Sequence, residues 1–175
     1  MTAAASTLVL GGARSGKSSF AEQIVRASGL DRVYIATAVA GDDEMQLRIA
    51  HHRERRGDGW RTVEESLHLV DTISREGTGG RILLVDCLTL WLSNLMHVEA
   101  DTTRETKRLI AALESIACPV VFVSNEVGLG LVPETPLGRQ FRDEQGRLNQ
   151  LVAAAVGNVA FVAVGLPLWL KRQTS

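Results

Sequence analysis

The chain has 175 residues, 45% of them hydrophobic and 22% charged, with 19 basic against 20 acidic residues and a formal net charge of −1. That length and balance suit a single domain spanning 1–175 and exclude wholesale disorder, and near-neutrality argues against a protein whose main task is gripping nucleic acid or anionic membrane. No apolar run reaches the roughly 18 residues of a spanning helix, and Met1 to Thr7 lacks the basic and apolar regions of a signal peptide, so a cytoplasmic protein is expected.

In chain order, an apolar strand at Thr7 to Leu10 leads to a helix at Lys17 to Ala27. A second strand, Val33 to Ala36, is followed by helical patterns at Asp43 to Arg56 and Ser66 to Arg75. The turn Gly77-Thr78-Gly79-Gly80 precedes a third strand, Ile82 to Val85, and a helix at Arg104 to Ile116. A strand at Val120 to Val123, a helix at Gly138 to Val156 and a strand at Ala160 to Val164 complete the alternation, and Leu168 to Lys171 can add an edge strand. The strands are continuous apolar runs rather than polar/apolar alternations, the pattern of a parallel sheet buried on both faces. Alternation of strand and helix then predicts an α/β fold. Cys87 and Cys118 sit in apolar surroundings without metal-ligand spacing and read as buried free thiols. Trp60, Trp91 and Trp169 read as core or interface, and His68 and His97 as ordinary helix or loop residues.

Sixteen of the 19 basic residues are arginine, and lysine stands only at 17, 107 and 171, so a lysine inside a motif carries weight. Lys17 is such a lysine. Gly11-Gly12-Ala13-Arg14-Ser15-Gly16-Lys17-Ser18 matches G-x-x-x-x-G-K-[ST], placed between a strand and a helix. Glycines there let successive backbone N–H groups turn toward phosphate oxygens, and the helix N-terminus adds its dipole. Lys17 would reach the outer phosphates and the Ser18 hydroxyl would ligate Mg²⁺. A second carboxylate for the metal is expected at the end of a neighbouring strand, and Asp86 follows Ile82 to Val85 there; a plain turn-forming role for it stays open. Thr89 could position a phosphate or a water.

No Asn-Lys-x-Asp follows the later strand, which ends in Ser124-Asn125-Glu126-Val127-Gly128, so a regulatory GTPase is disfavoured. A nucleic-acid motor would need basic loops that the charge balance does not offer. A small-metabolite kinase remains, yet it does not explain Gly41 to Arg56. On that predicted helix Glu44, Arg48, His51 and Arg55 fall along one stripe. Flanking arginines favour the neutral, nucleophilic imidazole. Two readings stay open: a solvated face, or a histidine that attacks a nucleotide's α-phosphorus. The Gly- and Pro-containing run from Asn125 to Pro136 reads either as a flap over a large substrate or as a long connection. Arg139 and Arg142 on the next helix are candidate phosphate contacts.

The P-loop octet, Tyr34-Ile35-Ala36-Thr37-Ala38, Asp42-Asp43-Glu44-Met45, Arg48-Ile49-Ala50-His51-His52-Arg53, Trp60-Arg61-Thr62-Val63-Glu64 and Asn125-Glu126-Val127-Gly128-x-Gly130-x-Val132-Pro133-Glu134 occur in one order. In that order the chain resembles the bifunctional adenosylcobinamide kinase/adenosylcobinamide-phosphate guanylyltransferase family of cobalamin biosynthesis, from about Thr7 to Lys171. The resemblance implies phosphorylation of adenosylcobinamide with ATP or GTP. It then implies transfer of GMP from GTP to the adenosylcobinamide phosphate through a covalent guanylyl-histidine, with release of pyrophosphate. It assigns the nucleophile to His51 and the GTP site to His52, Arg53, Glu54, Ala36, Thr37 and Ala38, with Glu64 and Asp86 at further nucleotide positions. It also implies a P-loop NTPase fold with a RecA-like, mostly parallel sheet covered by helices on both faces, and a homotrimer. The alternative function is a single-activity P-loop kinase in which His51 and His52 are structural. A nucleotide-binding switch is disfavoured by the missing guanine motif.

Overall fold

Seven strands run through the middle of the molecule, a computed structural model that describes residues 6–39 and 57–173. The expected helix Asp43 to Arg56, and with it His51, His52, Arg53 and Glu54, lies outside the described residues. In chain order the elements are β1 (Thr7–Gly11), α1 (Lys17–Ala27), β2 (Asp31–Ala36), β3 (Trp60–Glu64), α2 (Leu69–Glu76), β4 (Arg81–Asp86) and α3 (Leu88–His97). After these come α4 (Thr102–Ser115), β5 (Val120–Asn125), α5 (Pro136–Ala155), β6 (Asn158–Ala163) and β7 (Leu166–Lys171).

The strand order is β3-β2-β4-β5-β1-β6-β7, with the first six parallel and β7 antiparallel to β6. Successive residues of a strand face opposite sides, and here each side has its own helices. Val9, Tyr34, Ile82, Leu84, Val121, Val123 and Val162 pack with Ala21 and Val25 of α1. Leu8, Leu10, Val33, Ile35, Leu83, Val85, Val120 and Phe122 pack with residues of α2 to α5. Helices therefore cover both faces, as the alternation predicts.

Trp91 is fully buried on the larger side, and its indole N–H donates to the Leu67 carbonyl at 3.0 Å, so the ring is core and its polar edge is satisfied. Cys87 and Cys118 are both buried free thiols. Among the described residues no helix is long and apolar enough to cross a membrane.

Local chemistry sets the element ends. Asp101 accepts from the Arg104 N–H at 2.9 Å, so α4 begins at Thr102. Thr135 accepts from the Gly138 N–H at 3.1 Å, and Pro136 takes the first helical position of α5. At the other end of α5, Lys171 Nζ donates to the carbonyls of Ala153 (3.1 Å) and Ala154 (3.2 Å) and to that of Val156. α2 starts later than Ser66 because Glu65 Oε1 accepts from the N–H groups of Leu67 (3.0 Å) and His68 (2.7 Å) and holds them in a turn. The β6–β7 hairpin turns on Val164 (φ 48°) and Gly165 (φ 81°), two left-handed residues that suit a tight hairpin.

At the amino edge of the sheet the Glu76 carboxylate is buried among arginines. Arg61 approaches it at 3.0 Å, Arg81 at 3.1 Å and Arg75 at 3.4 Å. These pairs tie β3, α2 and β4 together.

Candidate nucleotide site

The turn between β1 and α1 carries the phosphate-loop residues. Arg14 (φ 55°) and Gly16 (φ 95°) take left-handed backbone. A Cβ on Gly11 would lie 2.5 Å from both Ser15 Oγ and the Val162 carbonyl, so only glycine lets the loop fold back there. Beside Gly12, in contrast, an added Cβ would meet nothing within 4 Å. The Gly165 N–H donates to the Ser15 carbonyl at 2.8 Å, so the β6–β7 hairpin props the loop from behind. Gly16 caps α1 without a side chain to engage the first N–H groups, and the first turn holds no acid. The positive end of α1 is left for an anion.

Lys17 Nζ donates to the Gly12 carbonyl at 2.9 Å. Burial lowers the Lys17 pKa, while the neighbouring Cys87 and Asp86 act in the other direction. Burial pushes the Cys87 thiol up to about 11, Asp86 pushes the same way, and backbone N–H groups and Lys17 oppose it. Ser15 Oγ is buried and has no hydrogen-bond partner among the described residues. A loop with an unused buried hydroxyl, uncapped helix N–H groups and a desolvated lysine fits a phosphate chain.

Strand register places further groups on this edge. Ala36 pairs with Asp86, Asp86 with Val123, and Gly11 with Asn125. By alternation with Tyr34, Ile82, Leu84, Val121, Val123 and Val9, the residues Ala36, Asp86, Asn125 and Gly11 all belong to the α1 face. Glu64, exposed at the end of β3, pairs with Ala36. β3 stands four strand steps from β1, roughly 19 Å at ~4.8 Å per step. The expected site residues thus form a band along one edge, with the phosphate loop at one end and Ala36, Thr37, Ala38 and Glu64 at the other.

Not every expected contact is free to meet a ligand by its side chain. Thr37 is fully buried; its hydroxyl donates to the Cys87 carbonyl (2.7 Å) and accepts from the Cys87 N–H (2.8 Å). Asn94 Nδ2 donates to the carbonyls of Thr37 (2.8 Å) and Ser66 (3.1 Å). Together these lock the ends of β2, β3 and β4. Thr89 Oγ1 accepts from the Asn125 N–H at 2.8 Å. Arg139 donates to the carbonyls of Pro133 (3.1 Å) and Glu134 (2.7 Å), holding the loop before α5, and Arg142 lies 3.5 Å from Asp143.

Sequence reasoning did not reach Asn94, nor the buried trio Ser124, Gln145 and Asn149 beside Asn125. One signal was available: Gln145 and Asn149 are polar and four residues apart, on the helix face that also carries Leu148 and Val152.

Comparison with known proteins identifies the family of the chain. A family model described as cobinamide kinase / cobinamide phosphate guanyltransferase matches residues 7–170. A bifunctional adenosylcobalamin biosynthesis protein CobP of Pseudomonas aeruginosa is 50% identical over 169 residues, 95% of this chain and 97% of that one. The bifunctional adenosylcobalamin biosynthesis protein CobU of Escherichia coli is 41% identical, over 94% of this chain and 98% of its own. Among solved structures, the RadB recombinase aligns with a TM-score of 0.53 at 16% identity, covering 90% of this chain and 73% of its own. The P4 protein of bacteriophage phi6 in complex with ADP aligns with a TM-score of 0.51 at 15% identity, covering 94% and 54%. These two establish a RecA-like P-loop fold.

Proposed function

The chain belongs to the cobinamide kinase / cobinamide phosphate guanyltransferase family, and we propose that it carries out both reactions in cobalamin biosynthesis along one edge of its sheet. In the first, the alcohol oxygen of adenosylcobinamide attacks the terminal phosphorus of ATP or GTP. A new O–P bond forms, the bridging bond breaks and a nucleoside diphosphate leaves. Lys17 and the N–H groups of Gly12 to Lys17 hold the phosphates, which is most of what this chemistry asks of a protein. In the second, a ring nitrogen of His51 attacks the α-phosphorus of GTP and displaces pyrophosphate. A phosphate oxygen of adenosylcobinamide phosphate then attacks the same phosphorus, the P–N bond breaks, and adenosylcobinamide-GDP results. Splitting the displacement in two is the use of an enzyme nucleophile.

The observation that carries this reading is the row of Gly11, Asn125, Asp86 and Ala36 on the α1 face of the carboxyl edge, beside the phosphate loop that carries Lys17. Residues 40–56, which contain His51, His52, Arg53 and Glu54, join the described chain just beyond Thr37 and Ala38, at the far end of that row. Ala36, Thr37, Ala38 and Glu64 on that side would receive GTP, Thr37 through its main chain. Mg²⁺ would be held by the Ser18 hydroxyl and the Asp86 carboxylate, and would offset the charge of the outer phosphates. Those two hard oxygen donors suit an ion that takes most of its ligands from water and phosphate; among the described residues no three His, Cys, Asp or Glu gather to cage a metal. The protein works in the cytoplasm as a homotrimer. Leu166, Leu168 and Leu170, all exposed on the edge strand β7, support self-association.

Mass spectrometry of adenosylcobinamide incubated with the protein tests the reading. With ATP the corrinoid gains one phosphoryl group, and with GTP it goes on to gain a GMP unit. Lys17→Ala stops the first step, and His51→Ala stops after it. A His51→Ala protein that still yields the GDP product refutes the histidine assignment.

A further inference from the structure

We propose that Asn125 is a catalytic residue of the phosphoryl-transfer step, its side-chain oxygen accepting the hydrogen bond of the attacking hydroxyl; the inference rests on the kinase reading above. Asn125 is the last residue of β5, the strand between Asp86 on β4 and the phosphate loop on β1. It pairs with Gly11, and alternation with Val121 and Val123 puts it on the α1 face, the face of Gly11 and Asp86. Its neighbour Ser124 faces the other way, into α5.

The backbone of Asn125 is held at both polar groups. Its N–H donates to Thr89 Oγ1 at 2.8 Å, and its carbonyl accepts from Asn149 Nδ2 at 3.1 Å. Asn149 is fixed in turn: its Oδ1 accepts from Ser124 Oγ at 2.7 Å and from Gln145 Nε2 at 3.0 Å, and Gln145 Nε2 also donates to Ser124 Oγ at 2.9 Å. All three side chains are buried. Elsewhere α5 meets the sheet through Leu148 and Val152, so an apolar contact was available at this spot as well. Of the polar atoms in this network Gln145 Oε1 lacks a partner among the described residues, and the remaining bonds hold the network to one geometry. What it fixes here is the end of β5.

The side chain so presented is not satisfied. Asn125 Oδ1 is buried and has no hydrogen-bond partner among the described residues. A buried amide oxygen needs a donor. The phosphate oxygens of a nucleotide are acceptors, and the Lys17 ammonium is directed to the loop and its phosphates. The alcohol that must enter between them is a donor. Its O–H bound to Asn125 Oδ1 leaves an oxygen lone pair free to meet the terminal phosphorus. As the O–P bond forms and the bridging bond to the leaving diphosphate breaks, the hydroxyl proton passes to an oxygen of the transferred phosphoryl group. A carboxamide orients that proton without taking it.

The test uses the full chain with adenosylcobinamide and ATP, following kcat at saturating substrates and, separately, the Kd of ATP. Asn125→Leu, close in volume and without polar atoms, is expected to lower kcat about 100-fold, the cost of losing a near-attack orientation, with the ATP Kd within about threefold of wild type. Asn125→Asp keeps an acceptor oxygen and is expected to recover at least about tenfold over Asn125→Leu at saturating ATP. Thermal melts confirm that both variants fold. An unchanged kcat in Asn125→Leu overturns the role, and so does a weakened ATP Kd with kcat intact, which would make Asn125 a nucleotide contact. A wild-type protein that binds ATP but phosphorylates no corrinoid alcohol overturns the kinase reading and this role together.

Discussion

The two edges of the sheet treat polar groups in opposite ways. At the amino edge the buried Glu76 carboxylate gathers three guanidinium groups within 3.4 Å. At the carboxyl edge Ser15 Oγ and Asn125 Oδ1 are buried without partners among the described residues, and Gln145 Oε1 lies unpartnered just beneath. The fourth such atom, Trp60 Nε1, is the exception on the amino side. Left-handed backbone occurs at both ends: at the amino edge it falls on Gly29, Gly59 and Gly80, which adopt it freely, whereas in the phosphate loop it also falls on Arg14, a side-chain-bearing residue that is strained by it. A parallel sheet brings loops of opposite purpose to its two ends: one end closes its charges on each other, and the other keeps polar groups for a ligand.

The largest expected break in this contrast comes from Lys17→Ala. It should lower the phosphorylation kcat by about 10³-fold, the scale of a lost charge-stabilising donor. The melting temperature should hold or rise, because burial already disfavours the Lys17 charge. Steady-state kinetics and a thermal melt on the same preparation check both halves.

Next, the two adjacent glycines should separate. Gly11→Ala forces a Cβ to within 2.5 Å of Ser15 Oγ and of the Val162 backbone, and overpacking of this kind costs roughly 1–3 kcal/mol, read in a denaturant melt. Gly12→Ala has open space around it and should leave stability alone while raising the ATP Kd at least about tenfold, since the open space is where phosphate would lie.

Glu76→Gln should do the reverse of Lys17→Ala. It removes the carboxylate from under Arg61, Arg75 and Arg81 and should cost about 2 kcal/mol of stability, less than a fully buried pair because Arg61 and Arg75 are more than half exposed. Both kcat values should stay near wild type.

The smallest effect lies in the thiols. Burial pushes Cys87 at the carboxyl edge and Cys118 near the amino edge up to about 11, from 9.0 for an ordinary thiol. A raised pKa in the fold means that the stability linked to each proton is present below pH 9 and lost as pH rises through 11. At pH 8 both should alkylate slowly in the native protein. Bound nucleotide brings negative charge beside Lys17 and should slow Cys87 about twofold further while leaving Cys118 unchanged, as peptide mapping would show.

Much of the fold was legible because buried parallel strands are written as continuous apolar runs, and the helix Lys17–Ala27 agrees with the structure at both ends. β3 was missed. It is an edge strand, Trp-Arg-Thr-Val-Glu, paired only with β2 and largely polar, so it lacks the apolar signal of its neighbours. α3 was missed for the opposite reason: Leu-Thr-Leu-Trp-Leu-Ser-Asn-Leu-Met-His is apolar on most of its circumference, and Cys87 before it makes no side-chain cap. A buried helix of that kind has little periodicity to read.

At the site, the turn between β1 and α1 was legible because the phosphate-loop pattern demands particular residues at a particular spacing, and Asp86 was legible in position because the apolar run Ile82 to Val85 marks the strand that it ends. Thr37 was expected at the site through resemblance alone, and its hydroxyl clamps the Cys87 backbone. Asn125 sat inside a quoted motif, but its unpartnered oxygen and the support from Gln145 and Asn149 arise only when β5 and α5 pack together. No spacing in the sequence encodes that meeting.

Both reactions on one edge require a nucleophile that the phosphate loop does not supply. The direct measurement is incubation with GTP labelled at the α-phosphate, followed by denaturation and detection of label on the protein. The account predicts an acid-labile, base-stable adduct in the wild type and none in His51→Ala. An adduct that persists in His51→Ala, or no adduct in a wild type that still phosphorylates adenosylcobinamide, would contradict it.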